Sequence, residues 1–230
     1  MMQTPRERAR QQTMAEIVTI GRRHLELHGA AGLSLRAVAR DLGVVSSAIY
    51  RYVKNRDELL TLLLVDGYDA LGDAVDAAVQ GVAEDDPVGR FRALARAVRQ
   101  WGLAEPACYG LLFGSPVPGY EAPAEQTTAP GTRVIFQLVQ ILESADHNGR
   151  IALGDRTLDP RLAADFSKIR DEKGLTMDDQ LVVAAVLVWS ALFGAVNFEV
   201  FGHYGQTTFS DPAALFEAHL PGYEAILGLR

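Results

Sequence analysis

Apolar residues recur at spacings of three and four along most of the chain, so nearly every segment reads as helix. Met14, Ile17, Val18, Gly21, Leu25 and His28 mark the first buried face, and Gly29 and Gly32 stop that helix. Ser34 suits the N-cap of a short second helix, Leu35 to Leu42, with Val38 and Ala39 inward. Gly43 breaks it, and a third short helix follows over roughly Ser46 to Val53. Asn55 can cap a long fourth helix with the stripe Leu60, Leu64, Tyr68, Leu71, Val75 and Val79. Asp66, Asp69, Asp73 and Asp76 fall off that stripe and predict a solvated acidic face. Asp85-Asp86-Pro87 opens a fifth helix through Phe91, Leu94, Ala95 and Val98 to Trp101. Pro106 to Phe113 reads as a brief helix. Prolines at 116, 118, 123 and 130 then predict an irregular segment to Gly131. Helices resume over 132–145, 160–173, 178–203 and 212–227, the last expected to break at Pro221. The expected fold class is all-α.

Three helices joined by very short turns, the second and third through Gly43, form a helix-turn-helix arrangement. Val38, Ala39, Leu42, Val44 and Ile49 are expected to bury against the first helix and hold the third outward. A rigidly presented helix fits the major groove of B-DNA and can read base edges there. The expected division is a DNA-binding domain over residues 1–57 and a helical domain over 58–230.

Charge changes the picture. The net charge of −7 argues against nucleic acid when taken alone. Residues 1–57, however, carry ten Lys and Arg against five Asp and Glu, whereas the remainder carries 12 against 24. Screening acts over ~8 Å at physiological salt, so a phosphate near the first segment feels mainly that basic segment. The single cysteine, Cys108, excludes an intrachain disulfide and fits a cytoplasmic location. The polar N-terminal residues do not resemble a signal peptide. The apolar run Leu181 to Val196 is shorter than the ~18 residues that argue for a membrane span, and Asp178, Asp179 and Glu199 flank it. It reads as a buried helix, with no membrane partner.

The run Ser34-Leu35-Arg36-Ala37-Val38-Ala39-Arg40-Asp41-Leu42-Gly43-Val44, then Ala48-Ile49-Tyr50-Arg51-Tyr52-Val53 and Asn55-Arg56-Asp57-Glu58-Leu59-Leu60, resembles the TetR family signature over about residues 12–64. Pro106 to Pro123, with Tyr109, Gly114, Pro116, Pro118 and Gly119-Tyr120, looks like one subgroup of these regulators. The resemblance implies a ligand-responsive transcriptional regulator, with repression the common mode. Ser34 and Tyr50 match phosphate-contacting positions. Tyr52 matches one often held by His, with a phosphate or a packing role. Lys54 and Arg56 match backbone-gripping positions at the entry to the fourth helix, and Arg36 lies within the signature. Ser46, Ser47 and Arg51 lie on or beside the recognition helix, and the first two should face the groove. Val45 departs from the usual hydroxyl residue at that helix's cap, and Arg56 from a common Lys. Tyr50 and Tyr52 also read as core residues, Arg22 and Arg23 as a solvated face, and Arg8 and Arg10 as a minor-groove arm or a disordered terminus.

In the second domain Trp101, Tyr109, Phe113, Phe136, Phe166, Trp189 and Phe193 are candidates to line a ligand cavity, against the alternative of packing. Gln137, Gln140 and Asn197 lie on otherwise apolar helices, where a ligand, water or the backbone could satisfy their amides. The expected effector is a small, mostly apolar molecule. Cys108 reads as an inert thiol. The five histidines lack metal-ligand spacing, and no catalytic constellation, phosphate loop or cofactor motif is present. The helix over 178–203 is apolar around nearly its whole circumference. With Phe216, Leu220 and Ile226 of the final helix it is expected to form a four-helix homodimer interface over a palindromic operator. The alternative is a non-enzymatic helical adaptor carrying a helix-turn-helix-like module.

Overall fold

The computed structural model describes residues 4–154, 158–205 and 207–230. Its helices are α1 (Pro5–His28), α2 (Leu35–Asp41), α3 (Ser46–Ile49), α4 (Arg56–Gln80), α5 (Pro87–Ala104), α6 (Pro106–Phe113), α7 (Ala124–Gly131), α8 (Arg133–His147), α9 (Pro160–Lys173), α10 (Asp179–Val200) and α11 (Pro212–Leu227), with a 3-10 turn at Ala30–Gly32. Among the described residues, extended pairing is confined to one isolated bridge between Ile151 and Leu229. The chain is all-α. It forms two compact units: residues up to Leu71 with Ala104–Thr132, and Gly72–Leu103 with Arg133–Arg230.

In the first unit the core is built from Ile17 and Leu25 of α1, Val38 and Ala39 of α2, Ile49 of α3, Val53, and Leu59, Leu60 and Leu63 of α4, all buried. A Cβ on Gly21 would come within 3.0 Å of Leu63 Cδ2, so glycine lets α1 approach α4 closely. His24 is buried in place of the expected His28, and its Nε2 lies 2.8 Å from Asp41 Oδ2, tying α1 to the end of α2. That bond holds the Asp41 carboxyl below its ordinary range. Val44, expected in the core, is exposed because the Gly43 turn carries it outward.

α1 starts at Pro5, so the segment carrying Arg8 and Arg10 is helical, contrary to a disordered terminus. Thr4 and Glu7 close a reciprocal capping box and Pro5 occupies the first turn, which satisfies or removes the donors that fray a helix start. Arg22 is not a solvated residue: its Nε donates to Asp66 at 2.5 Å, and Glu105 lies 3.7 Å from its Nη1. The segment expected to be irregular throughout holds α7. Pro123 and Pro130 stand seven residues apart, leaving room for two turns, and Pro130 removes only the bond to the exposed Gln126.

In the second unit Phe91, Leu94, Val98 and Trp101 of α5, Leu138, Ile141 and Leu142 of α8, Leu181, Val188, Leu192 and Val196 of α10, and Phe216, Leu220 and Leu227 of α11 are buried. Of the expected solvated acidic face, Asp69 and Asp73 are exposed and Asp66 and Asp76 are half-buried; Asp73 and Asp76 both accept from Arg133 Nη2, at 2.7 and 2.6 Å. α11 runs unbroken through Pro221, whose missing donor leaves only the carbonyl of the exposed Glu217 without a helical partner. α10 is long and apolar enough, by length and composition, to cross a membrane. One of its sides is packed on protein, and Asp178 caps its start by accepting from Leu181 N–H at 2.8 Å.

Candidate nucleic-acid interface

The geometry of the interface begins with Gly43. Its φ of +75° lies in the left-handed region that glycine adopts without strain. There its N–H bonds the Arg40 carbonyl at 3.1 Å and the Val44 N–H bonds the Ala39 carbonyl at 3.0 Å. These paired bonds close α2 and redirect the chain into α3 within four residues. α3 itself is one turn, shorter than the sequence predicts. Beyond Ile49 the N–H groups of Tyr52 and Val53 both converge on the Ile49 carbonyl, and the chain turns through Tyr50, Arg51 and Tyr52. Val45 is the N-cap and no side chain caps the helix, Ser46 included.

Ser46, Ser47 and Arg51 are all exposed, as a groove-facing recognition helix requires, with Ile49 alone anchoring the helix in the core. Ser34, Arg36, Tyr50, Lys54 and Arg56 line one open groove of about 580 Å³ together with Leu33, Leu35 and Asn55. Its polar wall combines hydroxyl, phenol, ammonium and guanidinium donors, the groups that bind phosphate oxygens. Tyr50 is 48% exposed, which removes the reading of Tyr50 as a core residue. Tyr52 is half-buried, outside that groove, beneath the Arg10 guanidinium at 5.5 Å from its ring. Ser34 starts α2 with its backbone only, so its hydroxyl makes no capping bond. Asn55 caps α4 as predicted, accepting from Glu58 N–H at 2.8 Å. Arg56 is committed inside the unit: its Nη2 donates to the Ala30 carbonyl at 2.8 Å, and the Ala31 carbonyl lies at 3.5 Å. The composition of the signature could not show this, because an Arg at a helix start reads alike whether it faces phosphate or carbonyl. The bonds of His24 with Asp41 and of Arg10 with Arg51 were likewise not read from the sequence.

The candidate ligand residues divide between the units. Tyr109 and Phe113 belong to the first, with rings 5.0 Å apart, and Phe113 meets Tyr68 edge-on at 6.1 Å. Burial pushes the Tyr109 phenol above its ordinary range. Trp101, Phe136, Gln140, Trp189, Phe193 and Asn197 belong to the second. Trp101 and Phe193 are buried, and the Trp189 ring packs on Phe193 at a tilt of 43°, with centroids 4.3 Å apart. Phe136 lies under Lys173 Nζ at 5.4 Å. Phe166 and Gln137 are half-buried. Gln140 is exposed, one position beyond the buried stripe of α8, and faces away from any interior site. Asn197 Oδ1 is a buried oxygen with no hydrogen-bond partner among the described residues. A cavity of about 450 Å³ in the second unit is lined instead by Glu84, Asp85, Pro87, Ser144, Ala145, Asn148 and Arg150. Among the described residues no group of three His, Cys, Asp or Glu is placed to hold a metal ion.

Comparison with known proteins agrees with this geometry. Residues 17–63 match the family described as bacterial regulatory proteins, tetR family, and residues 91–223 match the tetracyclin repressor-like C-terminal domain. The HTH-type transcriptional regulator Rv1816 of Mycobacterium tuberculosis (strain ATCC 25618 / H37Rv) is 47% identical over 96% of this chain and 95% of its own. The HTH-type transcriptional regulator Mb1846 of Mycobacterium bovis matches with the same identity and coverage. The crystal structure of regulatory protein SCO4313 is 33% identical with a TM-score of 0.77, covering 96% of this chain and 100% of that one. A bacterial regulatory protein in the tetR family from Rhodococcus RHA1 shares the fold at 16% identity and a TM-score of 0.61, over 94% and 97% of the two chains. The chain belongs to the TetR family of DNA-binding transcriptional regulators.

Proposed function

We propose that the protein is a homodimeric repressor that leaves a palindromic operator when a small, mostly apolar molecule binds. In this reading residues 1–57 hold the DNA and residues 58–230 sense the effector and dimerise, in the cytoplasm. The observation that carries it is the groove that gathers Ser34, Arg36, Tyr50, Lys54 and Arg56 beside an exposed one-turn recognition helix.

Two features support the dimer and effector readings. On α10, Val186 and Leu187 are 56% and 48% exposed, and Phe198 and Phe201 continue that side toward its end. Such an apolar face on a helix already packed on its other side fits a second subunit. Phe216 and Leu220, expected to share the interface, are buried within the chain. α11 instead exposes Ala214, Ala218, Pro221 and Ala225 along one face, small residues that permit close helix approach. For the effector, the buried Asn197 oxygen, four residues after Phe193 on α10 and without a hydrogen-bond partner among the described residues, is a polar group that a ligand donor would satisfy.

The test is titration of labelled duplex DNA from the region upstream of the protein's own gene, with random duplex as control. If about four phosphates are neutralised per subunit, log K against log salt falls with slope roughly −7 for a dimer. A flat plot with both duplexes favours the adaptor reading. Coupling of ~1–3 kcal/mol makes an effector weaken operator binding roughly 5–150-fold. A ligand that binds the protein without changing operator affinity sinks the release mechanism.

A further inference from the structure

Residues 5–12 of α1 are all exposed, so this helical extension is not explained by core burial. It is held by local devices, the Thr4–Glu7 capping box and a hydrogen bond from Gln12 to Glu16 at 2.9 Å. Arg10 links it to the recognition turn. Arg10 Nη1 donates to the Arg51 carbonyl at 3.3 Å, and its guanidinium lies over the Tyr52 ring with Cζ 5.5 Å from the centroid.

The recognition helix needs such support. A single turn fixes many dihedrals for few hydrogen bonds, so it has little stability of its own. α3 has no side-chain cap at its start, and Ile49 is its one buried residue. The turn that follows its far end presents the Arg51 carbonyl, and a cation beside the end of a helix is favourable on electrostatic grounds. Arg10 supplies the cation and the donor together, and grips the aromatic ring that follows.

We propose that Arg10 is a positioning residue for DNA binding: it braces the last turn of the recognition segment from α1, through the Arg51 carbonyl and the Tyr52 ring, without contacting phosphate itself. The inference rests on the DNA-binding reading of the interface. It assigns the exposed start of α1 a definite task, holding the orientation at which Ser46, Ser47 and Arg51 meet a duplex.

The experiment compares the wild-type chain with Arg10→Ala, Arg10→Met, Arg10→Lys, Tyr52→Ala and the Arg10→Ala/Tyr52→Ala double variant, on the same upstream duplex over a series of salt concentrations. Arg10→Met keeps the aliphatic stem and helix propensity, so its result does not depend on the N-terminal turns tolerating truncation. Loss of the brace is expected to weaken binding about three- to tenfold in Arg10→Ala and Arg10→Met. Arg10→Lys, which can still place a cation over the ring, is expected to fall between them and wild type. The salt slope is expected to stay within about one of wild type, since no phosphate contact is lost. On the Tyr52→Ala background, Arg10→Ala is expected to have less than half its logarithmic effect, because half of the brace is already gone. The proposal is overturned by unchanged affinity in both truncations, by a slope shallower by about two, which marks one direct phosphate contact per subunit, or by effects that simply multiply in the double variant. Wild-type protein that binds no duplex at all removes the DNA-binding reading and this inference with it, whereas tight wild-type binding with no Arg10 effect removes only the inference.

Discussion

The phenol of Tyr120 lies 2.9 Å from Thr61 Oγ1, joining the segment after α6 to α4 within the first unit. Thr61 is buried, and its hydroxyl donates to the Asp57 carbonyl at 3.0 Å, so Tyr120 is the donor in the pair. Tyr120→Phe deletes that donor and keeps the ring. The expected loss is about 0.5–1.5 kcal/mol, visible as a lower urea midpoint at constant slope. An unchanged midpoint would show that water replaces the phenol at no cost.

Gly43 isolates a backbone effect. A Cβ built there meets nothing within 4 Å, so steric contact contributes nothing to a substitution. Gly43→Ala is expected to destabilise by about 1–2 kcal/mol through the left-handed conformation alone, and Gly43→Asn by less. Chemical denaturation checks the order; Asn equal to or worse than Ala would refute the backbone origin.

Lys54 and Arg56 line the same groove but are expected to behave differently. Lys54 is exposed, so Lys54→Ala should weaken DNA binding and make the salt slope shallower by about two for a dimer. The guanidinium of Arg56 is bound to the Ala30 carbonyl. Arg56→Ala should therefore lower stability by about 1 kcal/mol and leave the slope closer to wild type. Equal slope changes in the two variants would place Arg56 on phosphate.

Burial raises the Cys108 thiol to about 11, the nearby Arg22 guanidinium only partly opposing it. At pH 8 about one thiol in a thousand is then ionised, so the native protein should react with an aromatic disulfide only as fast as it opens. The shift is upward, so its contribution to stability is full below the ordinary thiol range and fades as pH climbs toward 11. Rapid labelling under native conditions would contradict the burial.

Val186→Glu or Leu187→Glu places charge on the open side of α10 and is expected to yield monomers by sedimentation, with helix content retained and operator affinity reduced. Dimers that persist in both variants would move the interface elsewhere.

The core positions and turn of the helix-turn-helix were legible because each has a local signal: periodic Ile17, Leu25 and Val38, glycine at position 43, an Asn cap at 55. The exposure of Ser46 and Ser47 was expected from the resemblance to the family signature, not from periodicity. What escaped was long-range pairing. Asp76 looked fully solvated because Arg133 stands 57 residues away, and Arg22 met Asp66 at a separation of 44. Proline was over-read as a breaker at 130 and 221, where one lost bond on an exposed side left the helix intact. The ligand candidates were least legible. Aromatic residues at helical spacing serve packing and binding alike, and periodicity alone could not place Gln140 outside the buried stripe.

On α5, Arg92, Arg96 and Arg99 follow one another at helical spacing, and each grips a glutamate with two nitrogens: Glu224 at 2.6 and 2.9 Å, Glu217 at 2.7 and 2.6 Å, Glu199 at 2.7 and 2.5 Å. Planar forks of this kind tolerate little misalignment. The three pairs work like teeth on a rack. A slip of α5 by a fraction of a turn would disengage all of them together, so α5, α10 and α11 must shift as a block or hold still.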